Sequence, residues 1–578
     1  MRKDISRFIV LLFSCLLLNS TWAQNLYIGG HKAVRDNRYS TWLCSIPQEY
    51  FGTDWDAAMD FDSTCTKSYF KGVKIENGDV VTFDSIAGGK QYPFKVTYNG
   101  KSISGNITFT WLPLVELNGT FSKEYAEGTV SVSGPDSTFK NNMLAKLKWR
   151  GGVTNGTNRH KHNFSIKFLD ENGEKKDRRF FGLRKDNHWI LDAAQVDLLR
   201  ARNRVCSDLW LDMSVKPWYS DIEPNAINGS RGKTVEVLLN ERYIGIYHMI
   251  EPVDRKQLKL VKHDTISNVF HGQLWCNKEW SRTGAMTYPA SYSNDLENWE
   301  SIYVEYPDFD EVQPTDWSTL ADAVTFVHDK SVARQKQVFQ DSLGYYFDVP
   351  VMMDYFIFIV TLQALDNESK NIFYSCYDKT FNPRLTMTPW DLDLTVGGKL
   401  NSSWDDEKVK PDQYIYWISH LAMHDMFFSI KSMKKKINKR YWELRESYLD
   451  TDSLVARFQR VADELEACGA AAREERRWSG DTDISGQTLD ISAEMERVED
   501  WIRQRMAFLD ETVFAHVVDI RGDVNDDDEV NIADVNIVIG LIAGQTVDEE
   551  TFARADLSGD GEINISDLNE LIEIIIGN

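Results

Sequence analysis

Two twelve-residue loops near the end of the chain repeat one pattern. Asp523, Asn525, Asp527, Glu529, Asn531 and Asp534 stand at positions 1, 3, 5, 7, 9 and 12 of the first. Asp556, Ser558, Asp560, Glu562, Asn564 and Asp567 hold the same positions 33 residues later. Side-chain oxygens at that spacing, with a backbone carbonyl from position 7, supply the roughly six to eight hard donors that Ca²⁺ takes. Gly561 serves the sharp turn at position 6 of the second loop, where the first has Asp528. Each loop runs into an apolar stretch, Val535–Ile542 and Leu568–Ile576, that reads as a helix. A solvated acidic tail would not alternate acids with Val and Ile in the same phase twice. Residues 516–578 are therefore expected to be an all-α module of two loop–helix halves that folds around two Ca²⁺ ions.

That module absorbs most of the charge. The 578 residues hold 65 Lys and Arg against 88 Asp and Glu, a net of −23. From Asp519 onward there are 16 acids and 2 bases, a net of −14, which leaves −9 for the rest. A general nucleic-acid binder needs a basic face for phosphates, and this balance excludes one. One segment opposes the acidity: Lys146 to Lys185 carries twelve bases and four acids. With 42% hydrophobic residues and 18 Trp the chain can bury large cores, and its length allows several domains.

Arg2, Lys3 and Arg7 precede an apolar run from Phe8 to Leu18, and Thr21-Trp22-Ala23 follows. This is the layout of a secretory leader, 1–23, with cleavage after Ala23, and it implies a secreted or cell-surface protein. No later stretch of 18 apolar residues reads as a membrane span. Export permits disulfides. Among the six remaining cysteines Cys44 and Cys65 are the close pair, and a bridge between them stays open.

Residues 24–110 read as short strands broken by Asn-Gly and Gly-Gly turns, a small β-sandwich in an accessory role. Residues 111–515 form one long domain with strands first and helices later. Thr234–Leu239 and Tyr243–Ile250 flank a turn at Asn240-Glu241-Arg242, residues 315–375 are helical, and residues 430–515 are amphipathic helix. The fold class is multidomain α+β, with a two-lobed middle domain between the β-sandwich and the all-α tail.

In the middle domain the loop Trp149-Arg150-Gly151-Gly152 precedes Lys161 and Lys167, which alternate onto one face of an expected strand from Lys161 to Phe168. A glycine loop followed by strand lysines suits a polyphosphate, through close backbone amides and added positive charge. Asp366 stands five residues before Asn371, the spacing at which protein kinases place the Asp that orients a substrate hydroxyl and the Asn that holds Mg²⁺. Asp391 and Asp393 follow at a strand end, where hard carboxylate oxygens suit Mg²⁺ on nucleotide phosphates. Arg200 and Asn203 read as one turn apart on a helix, in a salt bridge, a cap or a ligand contact, and Glu251 as a lysine partner or hinge residue.

The order of these pieces resembles the spore-coat CotH family of atypical protein kinases. The matching blocks are Trp149-Arg150-Gly151, Lys161–Phe168, Phe181-Gly182-Leu183, Trp189-Ile190-Leu191, Leu198–Asn203, Leu239-Asn240, Tyr243–Tyr247, Glu251, Asp366–Asn371, Pro389–Asp393 with Gly397, and Val498–Arg503. The tail resembles a type I dockerin, with Asp at position 12 of each loop. The resemblance implies transfer of phosphate from ATP, with Mg²⁺, to Ser or Thr of extracellular or coat proteins. Carried over by position, Asp366 is the catalytic carboxylate and Lys161 the phosphate lysine. Arg150, Gly151, Lys167 and Glu251 surround the nucleotide, Trp390 stacks near adenine, and Asn371, Asp391 and Asp393 bind Mg²⁺. The dockerin implies a cohesin-bearing scaffold. Two alternatives fit the same residues: a noncatalytic surface or structural protein on the kinase fold, and an accessory subunit of a polysaccharide-degrading complex.

Overall fold

A computed structural model describes residues 25–98, 100–157, 159–399, 409–413, 422–478, 480–481, 488–515, 520–526 and 529–577. The expected leader and its cleavage point lie outside these residues, as do Asp527 and Asp528. The chain divides into two compact units: Met1–Ala201 with Arg231–Pro252 and Gln459–Met495, and Arg202–Ser230 with Val253–Phe458 and Glu496–Asn578.

The first unit begins with nine strands: β1 (Leu26–Ile28), β2 (His31–Asp36), β3 (Thr41–Ser45), β4 (Trp55–Phe61), β5 (Cys65–Phe70), β6 (Val73–Ile75), β7 (Val80–Phe83), β8 (Tyr92–Tyr98) and β9 (Lys101–Thr110). They form one sheet in the order β6-β5-β8-β9-β3-β2-β1-β4-β7. Strict alternation drives it: Tyr92, Phe94, Val96 and Tyr98 of β8 all point to the buried face. The expected sandwich is a continuous sheet folded across its own core. Phe83 on the edge strand β7 meets Phe70 of β5 at 4.9 Å, Tyr92 of β8 at 5.1 Å and Phe109 of β9 at 5.0 Å.

Cys44 and Cys65 are not bridged. Cys65 pairs with Tyr98, which pairs with Lys101 at one end of β9, whereas Cys44 pairs with Phe109 near the other. About eight residues of β9 at roughly 3.3 Å each separate the two levels, far beyond the Cα spacing of about 7 Å that a disulfide tolerates.

A closed barrel follows. Its strands are β10 (Leu114–Asn118), β11 (Ala126–Ser133), β12 (Phe139–Arg150), β13 (Asn163–Phe168), β16 (His188–Asp192), β17 (Gly232–Leu239) and β18 (Tyr243–Ile250), ordered β10-β11-β12-β13-β16-β18-β17. The parallel pairing of β17 with β10 closes it. A short ribbon, β14 (Arg178–Arg179) and β15 (Lys185–Asp186), lies outside that order. Phe164, Ile166 and Phe168 of β13 face the core with Trp189 and Tyr247, so Lys167 points outward. Asn240 and Glu241, both at positive φ, make the tight β17–β18 turn. The helix Ala470–Trp478 packs on β18.

The second unit is built on a five-stranded sheet of β19 (Gln273–Asn277), β20 (Asn298–Trp299), β21 (Ile302–Tyr306), β22 (Ile372–Asp378) and β23 (Asn382–Pro389), in the order β20-β21-β19-β22-β23. The helix Val349–Leu362 is buried on nearly every side, as its run of apolar residues requires. The helical stretch expected over 315–375 gives way to β22 at Ile372. Further helices include Lys431–Arg445 and Ile491–Phe508. The tail forms helices Ile532–Ile542, Glu549–Ala555 and Ile565–Gly577 around a small core of Val524, Val535, Val538, Ala555 and Leu571. Among the described residues no helix is long and apolar enough to cross a membrane.

Candidate functional site

In the first unit a buried charge cluster surrounds Lys161. Its Nζ donates to the Ile246 carbonyl at 2.7 Å and to Glu474 Oε1 at 2.7 Å. Arg200 Nε donates to the same oxygen at 2.7 Å, and Ile246 N–H donates to Glu474 Oε2 at 2.8 Å. Both the Lys161 and Glu474 side chains are fully buried. Burial pushes the Lys161 ammonium down to about 7, Glu474 opposes that fall, and Arg200 adds to it. Burial raises Glu474, but the two cations and the Ile246 amide outweigh it and hold the carboxyl below its ordinary value. A second ion pair pins the same helix: Arg473 donates through Nε and Nη2 to the two oxygens of Glu236, each at 2.8 Å.

Glu474 is a residue the sequence reading missed, because it stands 313 positions from Lys161. The available signal was the run Ala470-Ala471-Ala472 before Arg473-Glu474, small residues that let a charged helix face lie close to a strand. Gly245 answers it from β18: with φ of +114°, a Cβ there would lie 2.1 Å from Glu474 Oε2.

Several expectations change here. Lys161 precedes β13 and turns inward, while Lys167 lies over the Tyr125 ring at 4.8 Å. Their partners are disjoint, so the two do not form a single lysine face; the need to satisfy Glu474 takes Lys161 out of the strand alternation. Arg200 sits in a bend at φ +58° ahead of the helix Arg202–Met213, and so is not one helical turn from Asn203. Glu251 pairs with an arginine, not a lysine: Arg231 Nε and Nη2 donate at 2.9 and 2.8 Å, and Arg184 N–H adds a bond of 2.6 Å. Arg150 ends β12, and its carbonyl accepts from Thr154 Oγ1 at 3.1 Å. Gly151, at φ +99°, makes the turn under Thr154. Trp149 stacks on His162 with ring centres 3.8 Å apart.

In the second unit Asp366 lies in a 3₁₀ turn, Leu365–Asn367, that follows the buried helix. Asn367 Nδ2 donates to the Trp390 carbonyl at 2.7 Å and to the Asn371 carbonyl at 3.2 Å. Trp390 N–H donates to the Asn371 carbonyl at 3.0 Å, and Asn371 N–H to the Asn277 carbonyl at 2.7 Å. The turn carrying Asp366 and Asn371 is thereby clamped to the end of β23, which carries Trp390 and Asp391. Lys370 Nζ binds Asp366 at 2.9 Å. Burial lowers this ammonium, but Asp366, Glu279 and Asp391 around it hold it above its ordinary value. Asn371 (φ +55°) and Asp391 (φ +59°) both adopt the left-handed region, which costs energy for a residue with a side chain.

The segment after Asp391 is held from behind. Asn203 Oδ1 accepts from Leu392 N–H at 3.1 Å, and the fully buried Arg202 donates to the Thr395 and Val396 carbonyls at 3.0 and 3.2 Å. Gly397 leaves no room for a Cβ beneath Trp501, and its carbonyl accepts from Arg497 at 3.0 Å. Within the second unit, Arg202-Asn203, the segment from Leu392 to Gly397 and Arg497, separate in sequence, are thus partners.

The two tail loops close in the same way on their position 12 carboxylates. Asp534 accepts from the amides of Asn525 and Asn531, and Asp567 from those of Ser558 and Asn564, all four at 2.9 Å. Both carboxylates are fully buried. Burial raises Asp567, and the Ser558 and Asn564 amides outweigh it to hold the carboxyl low. Asp556 accepts from the amides of Gly559, Asp560 and Gly561. Asn531 caps the helix Ile532–Ile542 in a capping box with Asp534, so the helix starts inside the loop, three residues earlier than expected. Among the described residues no three His, Cys, Asp or Glu side chains converge as a metal cage. The loops mix Asn, Ser and carbonyl oxygens with carboxylates, a hard all-oxygen donor set that fits Ca²⁺.

Two family models match the chain. Residues 147–509, well over half of the chain, match the model of the CotH kinase protein family, and the chain belongs to that family. Residues 521–576 match the dockerin type I domain. A search of curated proteins gives no match to the chain.

Proposed function

We propose that this is an exported, ATP-dependent protein kinase of the CotH type, which phosphorylates Ser or Thr of extracellular or coat proteins and is tethered by a calcium-binding dockerin. The carrying observation is the Asn367 clamp, which gathers Asp366, Asn371 and Asp391 from two chain segments. In this reading Asp366 accepts or orients the proton of the attacking hydroxyl. Asn371, Asp391 and Asp393 would hold Mg²⁺. The Asn371 Nδ2 is buried without a hydrogen-bond partner, a donor that an amide flip would exchange for the oxygen a hard cation takes. Bound Mg²⁺ supplies charge neutralisation on the transferring phosphoryl group. Lys161, Arg150, Gly151, Lys167 and Glu251 are the proposed nucleotide-binding residues of the first unit, and Glu474 holds Lys161 in place. Trp390 offers a ring near the adenine.

The domain division into 24–110, 111–515 with two lobes, and 516–578 belongs to the same proposal, as do the secretory leader and a cohesin-bearing scaffold partner. Dockerin domains bind calcium, and the twelve loop residues from Asp523 to Asp567 are the proposed ligands. Full-length protein with Mg²⁺, labelled ATP and a Ser-rich coat protein should show transfer that Asp366→Ala lowers by at least about a hundredfold. Equal, negligible transfer by both proteins would sink the kinase reading.

One observation favours a noncatalytic reading: the Lys161 ammonium is fully buried and already shared between Ile246 and Glu474. A melting temperature raised by ATP with Mg²⁺, but without transfer, would mark a nucleotide-binding pseudokinase.

A further inference from the structure

The helix Lys431–Arg445 carries seven bases and one acid, the reverse of the tail. Lys431, Lys435 and Lys439 recur every four residues and share one face. Lys431 Nζ binds Asp523 Oδ2 at 3.1 Å and lies 3.7 Å from Asp526. Lys435 binds Asp526, and Lys439 binds Glu550. Farther along this helix the chain entering the tail is anchored. Asn438 Nδ2 donates to the Ala515 carbonyl at 3.1 Å, Trp442 Nε1 to the Phe514 carbonyl at 2.9 Å, and Tyr441 stacks on Phe514 at 4.1 Å.

The contact is selective. It engages position 1 and position 4 of the first loop, whereas among the described residues no lysine or arginine pairs with Asp556, Asp560 or Asp567 of the second. A cavity of about 1000 Å³ beside the contact is lined by Lys435, Lys439, Asn525 and Asp526 and also by Asp556 of the second loop, so it opens onto both loops, the first while it is docked.

We propose that this lysine face is the chain's own docking surface for the first calcium loop, and that calcium in that loop and the lysine contact oppose each other. The inference rests on the calcium reading of the tail. Asp523 is shared: it is the position 1 ligand of the loop and the partner of Lys431. A divalent cation in the loop removes two units of the negative charge that holds the lysines, and the coupling is reciprocal, so the lysines weaken calcium by the same factor. The first loop is the releasable half and the second the constitutive one. The CotH domain thereby senses whether the first loop carries calcium, and that loop leaves the lysine face as calcium rises.

The test uses the full chain. Calcium titration by calorimetry should show two binding steps, of which one tightens roughly three- to tenfold in Lys431→Gln/Lys435→Gln while the other stays unchanged. Two unchanged steps, or a weakened one, overturn the inference. Absence of any calcium step in the wild type refutes instead the calcium reading on which it rests. The contact is also tested without calcium. In EDTA, Lys431→Glu/Lys435→Glu should speed hydrogen exchange across residues 520–526 and leave 559–567 as in the wild type. Unchanged exchange at 520–526, or full exchange there already in the wild type, overturns the docking.

Discussion

Gly245→Ala should disable the Lys161 cluster without touching any charged residue. An added Cβ would stand 2.1 Å from Glu474 Oε2 and 3.0 Å from Trp478 Nε1. Carbon and oxygen come no closer than roughly 3.3 Å, so the carboxylate must retreat by about 1 Å. It then loses its 2.8 Å bond from Ile246 N–H. A charge-assisted hydrogen bond is worth about 1.5–3 kcal/mol. An L side chain at φ +114° adds about 1–3 kcal/mol of backbone strain. The sum is about 2.5–6 kcal/mol, concentrated on the barrel and the helix Ala470–Trp478. Because the chain has two units, the readout should be local: exchange of the Ile246 amide, alongside the melting temperature. A double-mutant cycle isolates the cause. With Glu474→Ala already in place the carboxylate clash is gone and the 3.0 Å approach to Trp478 Nε1 is the close contact left, so Gly245→Ala should cost chiefly its backbone part, about 1–3 kcal/mol. Strict additivity of the two substitutions would refute the steric argument, as would wild-type protection of Ile246.

Three other outcomes are expected. Asn367→Ala leaves the Trp390 and Asn371 carbonyls without their shared donor, which should cost about 1–3 kcal/mol in urea denaturation of the second unit and lower any phosphoryl transfer. Burial pushes the His424 ring down to about 3 from an ordinary 6.5. The unfolded chain therefore takes up a proton first as pH falls, and stability drops by about 1.4 kcal/mol per pH unit from 6.5 towards 3. Melting curves of His424→Leu over this range should be shallower in pH than those of the wild type by one proton. Asp567→Ala removes the acceptor for the Ser558 and Asn564 amides, so calorimetry should lose one of the two calcium steps while the helix Ile532–Ile542 persists.

The local patterns were legible. Alternation in β8, the Asn240-Glu241 turn, the apolar run that became Val349–Leu362 and the paired tail loops each declare themselves within a dozen residues. The Asp366–Asn371 spacing was likewise visible, and the turn that presents Asp366 is the local structure it forms. The errors arose where a side chain answered a distant partner. Lys161 alternates with Lys167 in sequence, yet Glu474 draws it inward. Arg200 reads as helical beside Asn203, yet its guanidinium closes over three carbonyls and Glu474 in a left-handed bend. Cys44 and Cys65 are close in sequence and remote in the sheet.

The sequence by itself determined the order of strands and helices, the tail's repeated oxygen donors and the family to which the middle domain belongs. Those properties rest on periodicity and short-range spacing, which a chain carries before it folds. The tertiary structure decided which carboxylate meets which cation: Glu474 with Lys161, Arg231 with Glu251, Lys431 with Asp523. Ion pairs of that kind close loops of 20 to 313 residues, and their partners are selected by burial, where desolvation leaves a charge no stable alternative to a specific neighbour.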